Sequence, residues 1–195
     1  MAPFPCTHPL KLSEADTTIF TDGSCIRHKD KPTTIGAAVY RVRQPGDPLG
    51  SIFKVNPNGQ GYTKTITRAE LSAILAALTT GSIAQVNETV HIFTDSLCSI
   101  HLIHRMLNSP WTLTECKHRD TLEHIIQALK ERAERGAHTY LYKVKSHAGC
   151  AGNNIVDKAA KAAALDDSHT DQITDPSHND PYSEETWAKR PPPPG

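Results

Sequence analysis

The chain has 195 residues, enough for one compact domain, and its 21 Lys and Arg balance its 21 Asp and Glu; a domain of about 150 residues buries roughly 70% of its unfolded surface and needs no disulfide scaffold. No apolar stretch approaches the ~20 residues that span a bilayer, and the N-terminus has no charged-then-apolar leader, so neither a membrane nor a secreted protein is expected. Five cysteines with no CxxC pair fit reduced thiols inside a cell better than a disulfide framework or a zinc module.

Residues 1–16 carry three prolines and no sustained period, so they read as an irregular lead-in, and the fold is expected to begin at Thr17. The runs TTIFTDGS, TIGAAVYRV and SIFKV are β-branched and aromatic and are separated by turn-rich segments such as QPGDPLG, the pattern of an antiparallel meander. Leu71, Ile74, Leu75 and Leu78 then follow helical spacing and predict a helix ending near Gly81. A strand over TVHIFTD leads to a helix with Leu97, Ile100, Ile103 and Leu107 inward, stopped near Pro110. The next helix buries Leu122, Ile125, Ile126, Leu129 and Ala133 and closes at Gly136 before the strand HTYLYKVK. An Ala-rich helix runs from about Gly152 to Leu165. The order β-β-β-α-β-α-α-β-α implies an α/β fold: a mixed five-stranded sheet, three antiparallel strands then parallel ones, with helices on its faces.

Composition shifts after Leu165. Residues 166–195 hold seven acidic and two basic groups, leaving nineteen basic against fourteen acidic in residues 1–165, so a +5 body precedes a −5 tail. The tail ends in RPPPPG and reads as a linker or a truncated junction, with Ile173, Tyr182 and Trp187 as its apolar residues. A mildly basic body is compatible with phosphate contacts without requiring them.

Ile-Phe-Thr-Asp occurs twice, at residues 19–22 and 92–95. If the two strands lie side by side in parallel, Asp22 and Asp95 face one crevice; taken singly, each could equally cap a turn, as Asp22-Gly23 and Asp95-Ser96 suggest. Glu70 has a similar double reading, because Thr67-Arg68-Ala69-Glu70 matches a capping box, yet Glu70 borders the apolar stripe and can point along the sheet edge. Asp157 can pair with Lys161 at i,i+4 on a solvated face, or sit near the site in the early turns of the last helix. Converging carboxylates with no Cys or His cluster make a hard oxygen site suited to Mg²⁺ or Mn²⁺ rather than zinc, and two such ions ~3.5–4 Å apart serve phosphoryl transfer. No GxxxxGK[ST] is present, so a P-loop hydrolase is not supported.

Thr21-Asp22-Gly23-Ser24, Arg68-Ala69-Glu70-Leu71, Thr94-Asp95-Ser96, and Lys145-Ser146-His147-Ala148-Gly149-Cys150-Ala151-Gly152-Asn153 followed by Asp157 resemble type I ribonuclease H in order and spacing, over residues 17–165. The resemblance implies an endonuclease that cuts the RNA strand of RNA/DNA hybrids, leaving 5′-phosphate and 3′-hydroxyl ends. It implies that Asp22, Glu70, Asp95 and Asp157 hold two Mg²⁺ ions, with Mn²⁺ as a substitute, and that His147 assists proton transfer or product release. Thr65, Arg68, Ser24, Asn153 and Lys145 are its implied substrate contacts. Ile66 and Thr67 stand where the family usually carries amide side chains, so strand discrimination would rest more on main-chain contacts.

Residues 108–117 (NSPWTLTECK) are too few for the basic helix of the bacterial enzyme, and this short link resembles the ribonuclease H domains of non-LTR retrotransposon polyproteins. That implies a covalently joined reverse transcriptase, flanks that are junctions, an intracellular setting and a monomeric isolated domain. Lys143, Lys145, Lys117 and Arg119 are phosphate-contact candidates or plain surface charge. His91, His101 and His104 lack a companion ligand for a metal site, and Trp111 either stacks on nucleic acid or packs on a helix. The competing readings are a catalytically silent hybrid-binding domain and a related-fold polynucleotidyl transferase acting on DNA; the HAGCAGN loop ahead of Asp157 argues against the second.

Overall fold

A computed structural model describes residues 16–42, 50–55, 57, 63–81, 83–146 and 150–166, with the backbone of 173–174. Strands β1 (Thr17–Ile26), β2 (Thr34–Arg41) and β3 (Ser51–Val55) form the antiparallel meander. Helix α1 (Ile66–Thr79) crosses to β4 (Val90–Thr94), and α2 (Leu97–Asn108), a 3₁₀ turn (Pro110–Leu113) and α3 (Arg119–Glu134) lead to β5 (Thr139–Lys143) and α4 (Ala151–Leu165). The sheet order is β5-β4-β1-β2-β3, with β4 parallel to both β1 and β5. This is the expected mixed sheet with four helices.

The tail adds something the sequence reading did not: Ile173–Thr174 form a sixth, two-residue strand (β6) antiparallel to β3, pairing Phe53 with Ile173 and Ile52 with Thr174. Tyr182 and Trp187 lie outside the described residues.

Alternation along β1 and β4 divides the core between the two faces. Ile19 and Ile92 pack with Leu71, Ile74, Leu122 and Ile125 of α1 and α3. Phe20 and Phe93 pack with Tyr40, Val144, Val156 and Ala160 beneath α4. Both helical layers lie close to the sheet because glycine meets them: a Cβ on Gly36 would stand 2.2 Å from Ala164 N, and one on Gly23 would stand 2.5 Å from Glu70 N. Gly23→Ala therefore forces α1 off β1, at a cost of about 1–3 kcal/mol in stability, and carries Glu70 with it. We expect a lower melting temperature and a loss of activity of about 10²-fold, the penalty typical of an ångström-scale misplacement; wild-type rates in a folded variant would show that α1 need not sit so close.

Three helix expectations need correction. The N-cap of α1 is Thr65, whose Oγ1 accepts from Arg68 N at 3.1 Å, so the helix starts one residue ahead of Thr67 and the Thr67–Glu70 capping box does not form. In α2 the buried face is Ser99, Ile100, Ile103 and Met106, while Leu97 and Leu107 are exposed; Ser99 goes inward because it bonds the cap residue, Ser96. In α3 Ala133 is exposed and Arg132 is fully buried. Arg132 donates to Gln85 O at 3.0 Å, to Glu88 O, and to Thr139 Oγ1 at 3.3 Å, tying α3 to the loop before β4 and to the start of β5. Gly136, at φ +77°, closes α3 as expected.

Among the described residues no disulfide links the cysteines, and no helix is long and apolar enough to cross a membrane.

Candidate active site

The repeated tetrapeptides lie side by side. Ile19 pairs with Ile92, Phe20 with Phe93 and Thr21 with Thr94 in parallel register, so Asp22 and Asp95 come next at the same end of the sheet. Asp22 sits within β1, paired with Ala38, and is no turn residue. Asp95 does not cap α2, because Ser96 does so through Ser99 N, and Ser96 N is fixed by Thr94 Oγ1 at 3.1 Å. Both carboxylates are thus left free of local capping duties. Glu70 joins them from α1 across Gly23, and ligand oxygens of Asp22, Glu70 and Asp95 all lie within 4.8 Å of one another.

Asp22 and Glu70 are buried, at 4% and 5% exposure. Burial, followed by the charges of Asp95 and Asp157, raises the Asp22 pKa to about 7, while backbone and side-chain hydrogen bonds from Gly23 and Glu70 pull it down. Burial, with the charges of Asp22 and Asp95, raises Glu70 to about 9. Glu70 is the better proton holder, and its carboxyl hydrogen-bonds Asp22. Its Oε2 has no hydrogen-bond partner among the described residues. Three converging carboxyl groups, two of them buried and one with an orphaned oxygen, fit a hard divalent cation, whose ligand oxygens on Mg²⁺ at 2.0–2.1 Å lie up to about 4.2 Å apart.

These shifts fix a pH dependence in metal-free protein. Both groups bind protons more tightly folded than unfolded, so folding pays no penalty below pH ~4 and a growing one as pH rises towards about 7 and then about 9. In a chelator the melting temperature should fall between pH 5 and 9, and added Mg²⁺ should raise it most at the alkaline end. A melting temperature in chelator that rises over this range would mean the carboxylates are not held together.

Asp157 lies at the rim, its side chain 27% exposed, and pairs with Lys161 at 2.7 Å. Its charge reaches Asp22. The i,i+4 pair anticipated from sequence and proximity to the site are therefore both present.

The expected substrate contacts divide. Thr65 is half-buried as the α1 cap, Ser24 is buried on β1 and Lys145 is exposed beyond β5. Arg68 is a correction: instead of facing a substrate it is buried, donating to Asp120 Oδ2 at 2.8 Å and Oδ1 at 3.0 Å, to Lys117 O at 3.1 Å and to Thr121 Oγ1. Its guanidinium holds the start of α1 against the start of α3 and keeps the Asp120 carboxyl below its ordinary value. Asn153 is also buried, and its Nδ2 donates to Asp95 Oδ2 at 3.5 Å, a contact the sequence reading did not foresee. His147 lies outside the described residues.

The ribonuclease H family model matches residues 14–165, most of the chain and a span that includes the four carboxylates. The chain belongs to the ribonuclease H family. A ribonuclease H of Anaeromyxobacter dehalogenans (strain 2CP-C) is 30% identical over 159 residues, covering 78% of this chain and 82% of that protein. In fold, this ribonuclease H is similar to LC9-RNase H1, a type 1 RNase H with the type 2 active-site motif, at a TM-score of 0.66 and 18% identity over 92% of this chain and 86% of that one. It is also similar to part of the foamy viral protease-reverse transcriptase solved with an RNA/DNA hybrid, at a TM-score of 0.52 and 19% identity over 80% of this chain and 21% of that one.

Proposed function

We propose that this ribonuclease H hydrolyses the RNA strand of RNA/DNA hybrids with two Mg²⁺ ions, Mn²⁺ substituting, held by Asp22, Glu70, Asp95 and Asp157, and leaves 5′-phosphate and 3′-hydroxyl ends. The observation that carries this reading is the carboxylate cluster at the end of β1 and β4, so crowded and buried that its full ionisation is costly unless a cation is bound. Divalent ions bound there supply an acidified water and charge neutralisation at a phosphodiester. The charges of Asp95 and Asp157 and the Glu70 carboxyl all bear on Asp22, so Asp22 would be the ligand common to the whole group. Asn153 orients Asp95 through its amide, and the ribose 2′-hydroxyl marks the strand that is cut. His147 assists proton transfer or product release.

Residues 17–165 form the catalytic unit in this reading, acting as an intracellular monomer when isolated, with 1–16 as an irregular lead-in and 166–195 as a linker or polyprotein junction. The setting is a non-LTR retrotransposon polyprotein with a joined reverse transcriptase. Two features support it: α2 passes to α3 through one short turn with no added helix, and a viral reverse transcriptase shares the fold.

Labelled RNA/DNA hybrid, duplex RNA and duplex DNA, each with and without Mg²⁺, test the reaction. Mg²⁺-dependent cutting confined to the RNA of the hybrid is expected. Binding without cutting would favour a silent hybrid-binding domain, and cutting of duplex DNA would favour a transferase.

A further inference from the structure

Lys161 stands one helical turn beyond Asp157 on α4 and donates from Nζ to Asp157 Oδ2 at 2.7 Å. On an open helix face such a pair is common and weak. Here its acceptor is a half-buried carboxylate whose charge reaches Asp22. The ammonium, in turn, is held charged by its hydrogen bond to Asp157 and by the charges of Asp157, Asp22 and Asp95. Lys161 therefore touches one of the four carboxylates and feels the charge of two more, from a side chain 54% exposed to water.

We propose that Lys161 is a tethered cation that holds the Asp157 carboxylate in metal-free protein and competes with a divalent ion for it, so setting the metal affinity of the Asp22/Asp157 side of the site. This rests on the metal reading given above. An ammonium on Oδ2 and a divalent ion on the same carboxylate repel one another, so Lys161 weakens Asp157 as a ligand for as long as it stays bound. The flexible, half-exposed stem lets Lys161 swing into solvent when an ion binds, which makes the competition reversible. The Asp22–Glu70–Asp95 group makes no bond to Lys161 and feels it only through space, so its own affinity should change less.

Calorimetric titration of MgCl₂ and MnCl₂ into the full chain, without nucleic acid, tests the assignment for wild type, Lys161→Gln, Lys161→Arg and Lys158→Gln. Lys158 is exposed on the same helix, so its variant changes net charge equally at a different place. Lys161→Gln should tighten the weaker binding event by about three- to tenfold, one pKa unit of interaction being tenfold. Lys161→Arg and Lys158→Gln should stay near wild type, and in an Asp157→Asn background Lys161→Gln should have no effect. If wild type and Lys161→Gln bind the ions equally well, the role given to Lys161 is wrong while the metal site stands. If neither takes up an ion, the metal reading fails and the role of Lys161 with it.

Discussion

Asp22→Asn should lower hybrid cleavage by about 10²–10⁴-fold while making the metal-free protein more stable at pH 8. The side chain keeps its size, and the amide oxygen can still accept from Gly23, so β1 and its pairing with β4 survive. What disappears is the negative charge on which those of Asp95 and Asp157 both act. Losing several kcal/mol of charge stabilisation at a metal site translates at ~1.36 kcal/mol per tenfold into that rate loss. Stability moves the other way because wild-type Asp22, with a pKa of about 7, pays to ionise in a buried site above that pH. Below pH ~4 the carboxyl is neutral folded or unfolded, and the two proteins should differ little on this account. Melting curves in chelator at pH 4 and pH 8, beside rates on labelled hybrid at saturating Mg²⁺, test both halves. A rate within threefold of wild type would take Asp22 out of the reaction.

Arg132→Leu should be the most destabilising single substitution away from the site. Wild-type Arg132 is fully buried and satisfies the carbonyls of Gln85 and Glu88 together with Thr139. Leucine takes the guanidinium donor from the part-buried Glu88 O, leaves Gln85 O with Glu88 N alone, and opens space where the buried guanidinium lay, at about 1–3 kcal/mol for the orphaned acceptor and more for the cavity. A loss of about 3–5 kcal/mol lowers the melting temperature by roughly 10 °C in a protein of this size. Arg132 anchors the loop leading into β4, at the opposite end of that strand from Asp95. The folded fraction should therefore cleave at the wild-type rate when assayed well below the transition. A melting temperature within 2 °C of wild type would show that water replaces the guanidinium at little cost.

Why the sequence disclosed some of this and concealed the rest follows from the range of each interaction. The repeat of Ile-Phe-Thr-Asp was legible because a parallel pair aligns equal residues, and the structure matches them position for position. Glu70 was legible through its motif, though its reading as a cap partner failed because Thr65 took that duty. Arg132 was concealed, since a charged residue on a helix reads as solvent-facing and its acceptors lie 44 and 47 residues away. Arg68 was misread for the same reason, its partner Asp120 being 52 residues distant. On α2 hydropathy ranked Leu97 and Leu107 above Ser99, whereas burial followed the contact with the cap. Asn153 reached Asp95 across 58 residues, with nothing local to announce it.

The division of the carboxylates along the chain has a further consequence. Asp22 and Glu70 belong to the part that ends with α1, Asp95 and Asp157 to the part that begins with β4, and between them lies the exposed turn at Gly81. A backbone cut there leaves two fragments that each own half of the charge and no whole site. On the proposed reaction neither would cleave alone, and their reunion is written into the sheet, because β1 must find β4 in register before Asp22 meets Asp95. Activity in this molecule is thus a direct report on reassembly: a mixture of the two fragments will cut only where the strands have found each other.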